Sequence, residues 1–185
     1  MNLFSLEGNI GAGKSTVLAI VKQLMPTIST LPEPLHIWDE VKNDEGKGFL
    51  QCFYEDTKTH CFPFQVNCLV SRYKQFADCV NSCYDDVNHT IVMERCYLGD
   101  RHTFVELAFQ SGAMSKVQHQ VYVNTHELFT RFMPVPIFFL IDTPAATCYE
   151  RIQHRARPGE ESITPQYLEL LGEAHRYLLE RYFHR

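Results

Sequence analysis

One stretch, Gly8-Asn9-Ile10-Gly11-Ala12-Gly13-Lys14-Ser15, constrains this chain more than any other, because it fits G-x-x-x-x-G-K-[ST]. It lies between the apolar run Leu3-Phe4-Ser5-Leu6 and an amphipathic segment over residues 15–25. Strand, glycine-rich loop and helix in that order make a phosphate-binding loop. The glycines let backbone N–H groups converge on a phosphate, and the helix N-terminus adds the positive end of its dipole. Gly8, Asn9, Ile10, Gly11, Ala12 and Gly13 are therefore assigned to the cradle, with Thr16 beside it. Lys14 is expected on the β- and γ-phosphates and Ser15 on Mg²⁺. Such a loop specifies a nucleotide; it does not specify a reaction.

The rest of the chain alternates between strand and helix patterns. Val17, Leu18, Val21, Leu24 and Met25 recur at helical spacing, and Pro26 stops that helix before an extended segment over 27–31. A polar, Gly-containing loop over 41–48 follows. Val66, Leu69, Val70, Tyr73, Ala77, Val80 and Tyr84 mark a long helix, and Thr90-Ile91-Val92-Met93 reads as a buried strand ending in Glu94-Arg95. Apolar residues crowd 104–109 beyond what one helix face requires, which suggests a subunit interface; Gly112 then stops the helix. A helix over 115–132 and a buried strand over 136–141 come next. Thr143 is placed to cap the following helix, with Pro144 in its first turn, and Thr164-Pro165 repeats that opening. The last helix shows Tyr167, Leu168, Leu171, Ala174 and Leu178 on its apolar face. The pattern predicts one α/β domain over 1–185, a parallel sheet with right-handed crossovers. At 185 residues and 45% hydrophobic content the chain is sufficient for one sizeable core.

Ligands of open α/β sheets bind outside the carboxyl ends of the strands, so charged residues just after strands are the candidates. Glu33, held between Pro32 and Pro34 with the lone tryptophan, Trp38, five residues on, is the first. Glu94-Arg95 is the second. The third is Arg151, Arg155 and Arg157 with His154 among them, a basic cluster suited to a lid that closes over phosphates. A net charge of −5 argues against a broad nucleic-acid surface. Seven cysteines without a C-x-x-C pair read as reduced thiols, and nine scattered histidines give no zinc spacing. No apolar run reaches membrane-spanning length, and a strand from Asn2 leaves no room for a targeting peptide, so a cytoplasmic protein is expected.

Taken together, Glu7-Gly8-Asn9-Ile10-Gly11-Ala12-Gly13-Lys14-Ser15-Thr16, Glu33-Pro34 with Trp38, Phe64-Gln65, Glu94-Arg95 and Arg155-Ala156-Arg157 with Glu160 resemble, in order, the motifs of the deoxyribonucleoside kinases. The resemblance runs from about residue 2 to 179. It implies a P-loop kinase fold with a parallel sheet of four to five strands flanked by helices, an arginine-rich lid over about 151–162, ATP as donor and Mg²⁺ as cofactor. It also implies a small deoxynucleoside as substrate and a homodimer, with no nucleic-acid polymer or membrane partner. Glu33 looks like the base that takes the proton from the sugar 5′-hydroxyl, and Arg95 like the arginine that orients it. Glu94 with Ser15 would hold Mg²⁺. Lys14 and the arginines at 151, 155 and 157 would neutralise the transferring phosphoryl group.

The nucleoside pocket carries over in the same way. Tyr54 and Glu160 resemble the pair on the sugar 3′-hydroxyl, and Phe104 the aromatic stacked on the base. Trp38, Phe64 and Leu35 would line the cavity, and Gln65 would bond the base edge. Arg72 and Asp100 are placed as in the deoxycytidine and deoxyguanosine kinase branch. A carboxylate held by Arg72 accepts from an exocyclic amino group but meets the O4 carbonyl of thymine as acceptor against acceptor, so deoxycytidine and purine deoxynucleosides are favoured over thymidine. Family members continue past the last helix into a fifth strand and a loop on the donor adenine. Here the residues end at Phe183-His184-Arg185, so four strands and weak donor-base preference are expected. Pro158-Gly159 should stiffen and then bend the lid. The alternatives are a nucleoside monophosphate kinase, whose acceptor phosphate Glu33 would repel, and an inert homologue acting as a structural subunit.

Overall fold

The strand β1 (Asn2–Gly8) is the axis of the molecule, pairing parallel with β3 (Thr90–Glu94) on one side and β4 (Ile137–Ile141) on the other. β2 (Ser29–Leu31) adds to β3, and the four strands run parallel in the order β2-β3-β1-β4. The computed structural model describes residues 1–83 and 85–183, apart from the side chain of Phe183, so Tyr84, His184 and Arg185 lie outside the described residues. The expected parallel α/β sheet with helical crossovers is the observed one.

Helix α1 (Lys14–Leu24) covers one face of the sheet, burying Leu18 against Leu6 and Val92. On the other face α4 (Thr57–Ser82) and α9 (Pro165–Phe183) enclose the main core of Leu69, Phe76, Ile91, Met93 and Leu178. α7 (Lys116–Thr130) packs against α4 and starts at Ser115, whose hydroxyl accepts from the Gln118 N–H in a reciprocal capping box. Thr164 caps α9 as expected, its hydroxyl accepting from Tyr167 N at 3.2 Å.

Several expectations need correction. Three short helices, α2 (Leu35–Glu40), α3 (Phe49–Glu55) and α5 (Tyr97–His102), were not expected, and α4 begins at Thr57, its N-terminus capped by Asp56. Thr143 does not cap α8 (Ala145–Arg155); Pro144 holds that position, and the Thr143 hydroxyl donates instead to Ala12 O at 3.0 Å. β4 is an edge strand rather than a buried one, with Ile137 59% and Phe139 52% exposed. The apolar residues of α6 (Phe104–Gln110) divide between the interior and the surface, where Phe109 is 36% exposed. Val105 is fully buried, Phe104 faces a cavity, and Phe109 stacks on His119. Exposed apolar residues also lie on α7, at Val117, Val121 and Leu128, and on α4 at Val70.

Candidate active site

The crossover from β1 to β2 leaves the sheet on one side and that from β3 to β4 returns on the other, so a crevice opens at the carboxyl ends of β1 and β3. The phosphate-loop sequence follows β1 directly. Gly8 (φ 142°) and Gly11 (φ 79°) are required there, since a Cβ would lie 2.6 Å from Ile141 O or from Cys148 O, respectively. Asn9 ties the loop to α9, donating from Nδ2 to Leu168 O at 2.7 Å and accepting from Ile10 N at 3.0 Å. The Lys14 ammonium donates to Asn9 O at 2.7 Å and Gly8 O at 3.2 Å. Burial, then the charge of Arg95, lowers the Lys14 pKa to about 7 against the pull of Glu33, Glu94 and Glu7. Ser15 Oγ donates to Glu94 Oε1 at 2.8 Å, joining the two residues expected at Mg²⁺. Arg151 Nη1 reaches Gly11 O and Ala12 O at 3.2 and 3.1 Å.

Glu33 stands between Leu31, the last residue of β2, and α2, with its carboxylate opening on the crevice. Two arginines hold it. Arg95 Nε is 3.6 Å from Glu33 Oε1, while Arg72 Nη2, from α4, donates to the same oxygen at 2.8 Å. Arg72 also donates from Nε to Asp100 Oδ2 at 2.6 Å and from Nη1 to Glu94 O at 2.9 Å. Arg72 was expected to serve Asp100; it serves both carboxylates and grips Glu33 more closely than Arg95 does. Burial alone would raise the Glu33 pKa, but the charges of Arg72, Arg95 and Lys14 outweigh it and lower the value to about 2. Burial likewise raises the Asp100 carboxyl, with Arg72 and Arg95 opposing. Desolvation opposes the Arg72 charge, but Asp100 and Glu33 more than offset it. Arg95 adopts a left-handed φ of 62°, a conformation that costs a non-glycine residue about 1–3 kcal/mol and persists where its surroundings over-determine it.

Away from the loop the crevice becomes an aromatic cavity, about 360 Å³ in all, a volume suited to a small ligand. Trp38 is fixed by a hydrogen bond from its indole N–H to Ser71 Oγ (3.0 Å), and Phe64 meets it edge-on at 5.3 Å. Leu35, Tyr54 and Phe104 complete the wall, and Gln65 lines it with an amide bonded to no other described residue. Glu160 accepts two hydrogen bonds from Arg155, at 2.7 and 2.8 Å, and one from Arg157 at 3.2 Å. Gly159 (φ 89°) makes the bend in the lid expected of Pro158-Gly159.

The cavity therefore gathers Ile10, Gly11, Gly13, Lys14, Ser15, Thr16, Glu94, Arg151 and the nucleoside-pocket candidates. Gly8, Asn9 and Ala12 support the loop from behind rather than line it. Sequence reasoning missed Leu50, Phe53, Cys68 and Tyr167, which also line the cavity. Cys68 carried a signal, since residues 65, 68 and 72 share one face of a helix. All seven cysteines are free thiols. Among the described residues no group of three or more His, Cys, Asp or Glu side chains is placed to hold a metal, and no helix is long and apolar enough to cross a membrane.

Comparison with known proteins points the same way as the geometry. The deoxynucleoside kinase family model matches residues 4–184. The chain is 30% identical to the deoxycytidine kinase of Homo sapiens, over 96% of this chain and 75% of that protein. It is 28% identical to the mitochondrial deoxyguanosine kinase of Xenopus laevis, over 96% and 72% of the two chains. It is also 29% identical to putative kinase protein 029R of Invertebrate iridescent virus 3, over 96% and 81%.

Proposed function

The chain belongs to the deoxynucleoside kinase family, and from that premise we infer that it transfers the γ-phosphate of ATP to the 5′-hydroxyl of a deoxynucleoside through Glu33. The observation that carries this reading is the Glu33 carboxylate, held by two guanidiniums, in one cavity with the phosphate loop and an aromatic box. Glu33 takes the hydroxyl proton as the 5′-oxygen bonds to the γ-phosphorus and the bond to the β–γ bridging oxygen breaks, leaving ADP. A carboxylate with a pKa of about 2 is a weak base. In a loose phosphoryl-transfer transition state, positioning the nucleophile contributes more than base strength. Lys14, Arg151, Arg155 and Arg157 neutralise charge on the phosphates, and the lid excludes water. Mg²⁺, when bound, neutralises the β- and γ-phosphate oxygens. The Ser15–Glu94 pair suits it, because this ion takes few protein ligands and keeps most of its waters.

On the base side, Gln65 and the Arg72-held Asp100 favour deoxycytidine and purine deoxynucleosides over thymidine, and Tyr54 with Glu160 serves the sugar 3′-hydroxyl. Pairing of two copies is supported by the exposed apolar residues Val117, Val121 and Leu128 along α7; Val121→Glu with Leu128→Glu then yields monomers by sedimentation. The deciding experiment follows labelled γ-phosphate from ATP to each deoxynucleoside and each monophosphate, with Glu33→Gln as control. Transfer to deoxynucleosides that is lost in the variant supports the reading. Transfer to monophosphates alone overturns it, as does no transfer to any acceptor.

A further inference from the structure

Arg95 is only 2% exposed, and the groups that fix it lie on other elements. Its Cζ sits 4.5 Å over the Phe104 ring, and Nη1 is 3.3 Å from Gly8 O and 2.9 Å from His175 Nε2. Its Nε, the atom nearest Glu33, has no hydrogen-bond partner among the described residues. The side chain is thus aimed from its far end, and His175 provides the shortest contact there.

His175 belongs to α9 and is 1% exposed. Its Nδ1 lies 2.7 Å from Leu171 O. A carbonyl only accepts, so Nδ1 carries the hydrogen. Nε2 must then be bare, because a second N–H would point at the guanidinium N–H that reaches it. Glu7 closes the other side: its Oε1 accepts from Ser5 Oγ at 2.7 Å and Cys96 N at 3.0 Å, and its Oε2 stands 3.8 Å from His175 Nε2. Burial, then the charges of Arg95 and Lys14, lowers the His175 pKa, which keeps the ring neutral.

We propose that His175 is a positioning residue for phosphoryl transfer, its bare Nε2 accepting from Arg95 so that the guanidinium stays aimed at Glu33. The chain of contact runs from the Leu171 carbonyl through the imidazole to Arg95 and then to the reacting carboxylate. His175 touches neither substrate nor phosphate; it acts through Arg95. The proposal rests on the reading of Arg95 as the residue that orients Glu33.

Two variants separate the ring nitrogens. The amide of His175→Asn replaces Nδ1 and keeps the bond to Leu171 O but falls short of Arg95. The amide oxygen of His175→Gln reaches the Nε2 position. Per folded molecule, Asn is expected to lower kcat at least about tenfold, the scale of a small misplacement at a reacting group, with the KM for ATP nearly unchanged. Gln is expected to stay within about threefold of the parent. In an Arg95→Met background both substitutions are expected to cost less than about twofold, because the residue they act through is gone. Nitrogen NMR of the histidine-labelled parent gives a reading independent of any variant, and it is expected to show His175 protonated at Nδ1 and bare at Nε2. Gln falling as far as Asn, additive losses in the Arg95→Met background, or a protonated Nε2 would each overturn the proposal. Failure of the underlying reading looks different: Arg95→Met would then leave kcat unaltered.

Discussion

Lys14 is expected to take up a proton when ATP binds. Its ammonium is buried beside Arg95 with a pKa of about 7, against 10.5 for an ordinary lysine. About a tenth of it is therefore charged near pH 8 and about a hundredth near pH 9. Polyphosphate brings negative charge to the ammonium and raises its pKa again, so the bound form is protonated throughout this range. Affinity should fall about tenfold, or about 1.4 kcal/mol, for each pH unit above about 7. The γ-phosphate is already ionised there, so its own proton does not confuse the reading. Titration calorimetry in buffers of different ionisation enthalpy should show uptake of about 0.9 proton per site near pH 8 and about 0.5 near pH 7. Lys14→Arg stays charged at every accessible pH and should abolish the dependence. Affinity that is flat from about pH 7 to about pH 9, with a buffer-independent enthalpy, would refute a half-charged buried Lys14.

Glu33→Gln should lower kcat by about 10²–10⁴-fold, while quenching of Trp38, the one tryptophan, still reports nucleoside binding. The fall of the Glu33 pKa from 4.5 to about 2 on folding contributes stability that is present above 4.5 and lost as pH falls through about 2. The melting-temperature loss in Glu33→Gln should accordingly be larger near pH 7 than near pH 3. Gly99→Ala would place a Cβ 2.4 Å from the buried Glu7 carboxylate, and overpacking of that kind costs about 1–3 kcal/mol in a denaturant melt. Asp100→Ala with Arg72→Met should raise thymidine use relative to deoxycytidine in the phosphate-transfer assay. An unchanged ratio would remove these two residues from base selection.

The frame was legible in the sequence because its signals are local. The phosphate loop carries its own glycines, and the β3 sequence is a continuous apolar run that reads as a strand. α2, α3 and α5 span six or seven residues each, too short for a 3.6-residue period to declare itself. The β4 sequence reads as apolar as that of β3; edge position, which the sequence does not encode locally, sets their different exposure. Glu33 stood out as a carboxylate between prolines after a strand. Its contact with Arg72 did not, because the two are 39 residues apart and meet through the packing of β2 and α2 on α4. His175 left a signal that went unread: it falls in the stripe of Leu168, Leu171 and Leu178, where an imidazole must find a buried partner.

On the proposed reading of the site, Arg72 links base specificity to rate. One planar guanidinium has Nε on Asp100, proposed to face the base, and Nη2 on Glu33, proposed to face the reacting hydroxyl. Its forked geometry is rigid, so while both bonds hold a shift of one carboxylate is passed to the other. A base that repels Asp100 by about an ångström rotates the fork and displaces Glu33, and misplacement on that scale costs about 10²-fold in rate. Base discrimination should then appear in kcat as well as KM, because the wrong base disturbs an interaction needed in the transition state. With Asp100 removed, the base no longer acts on the fork, and the kcat values for different deoxynucleosides should converge even where their KM values do not.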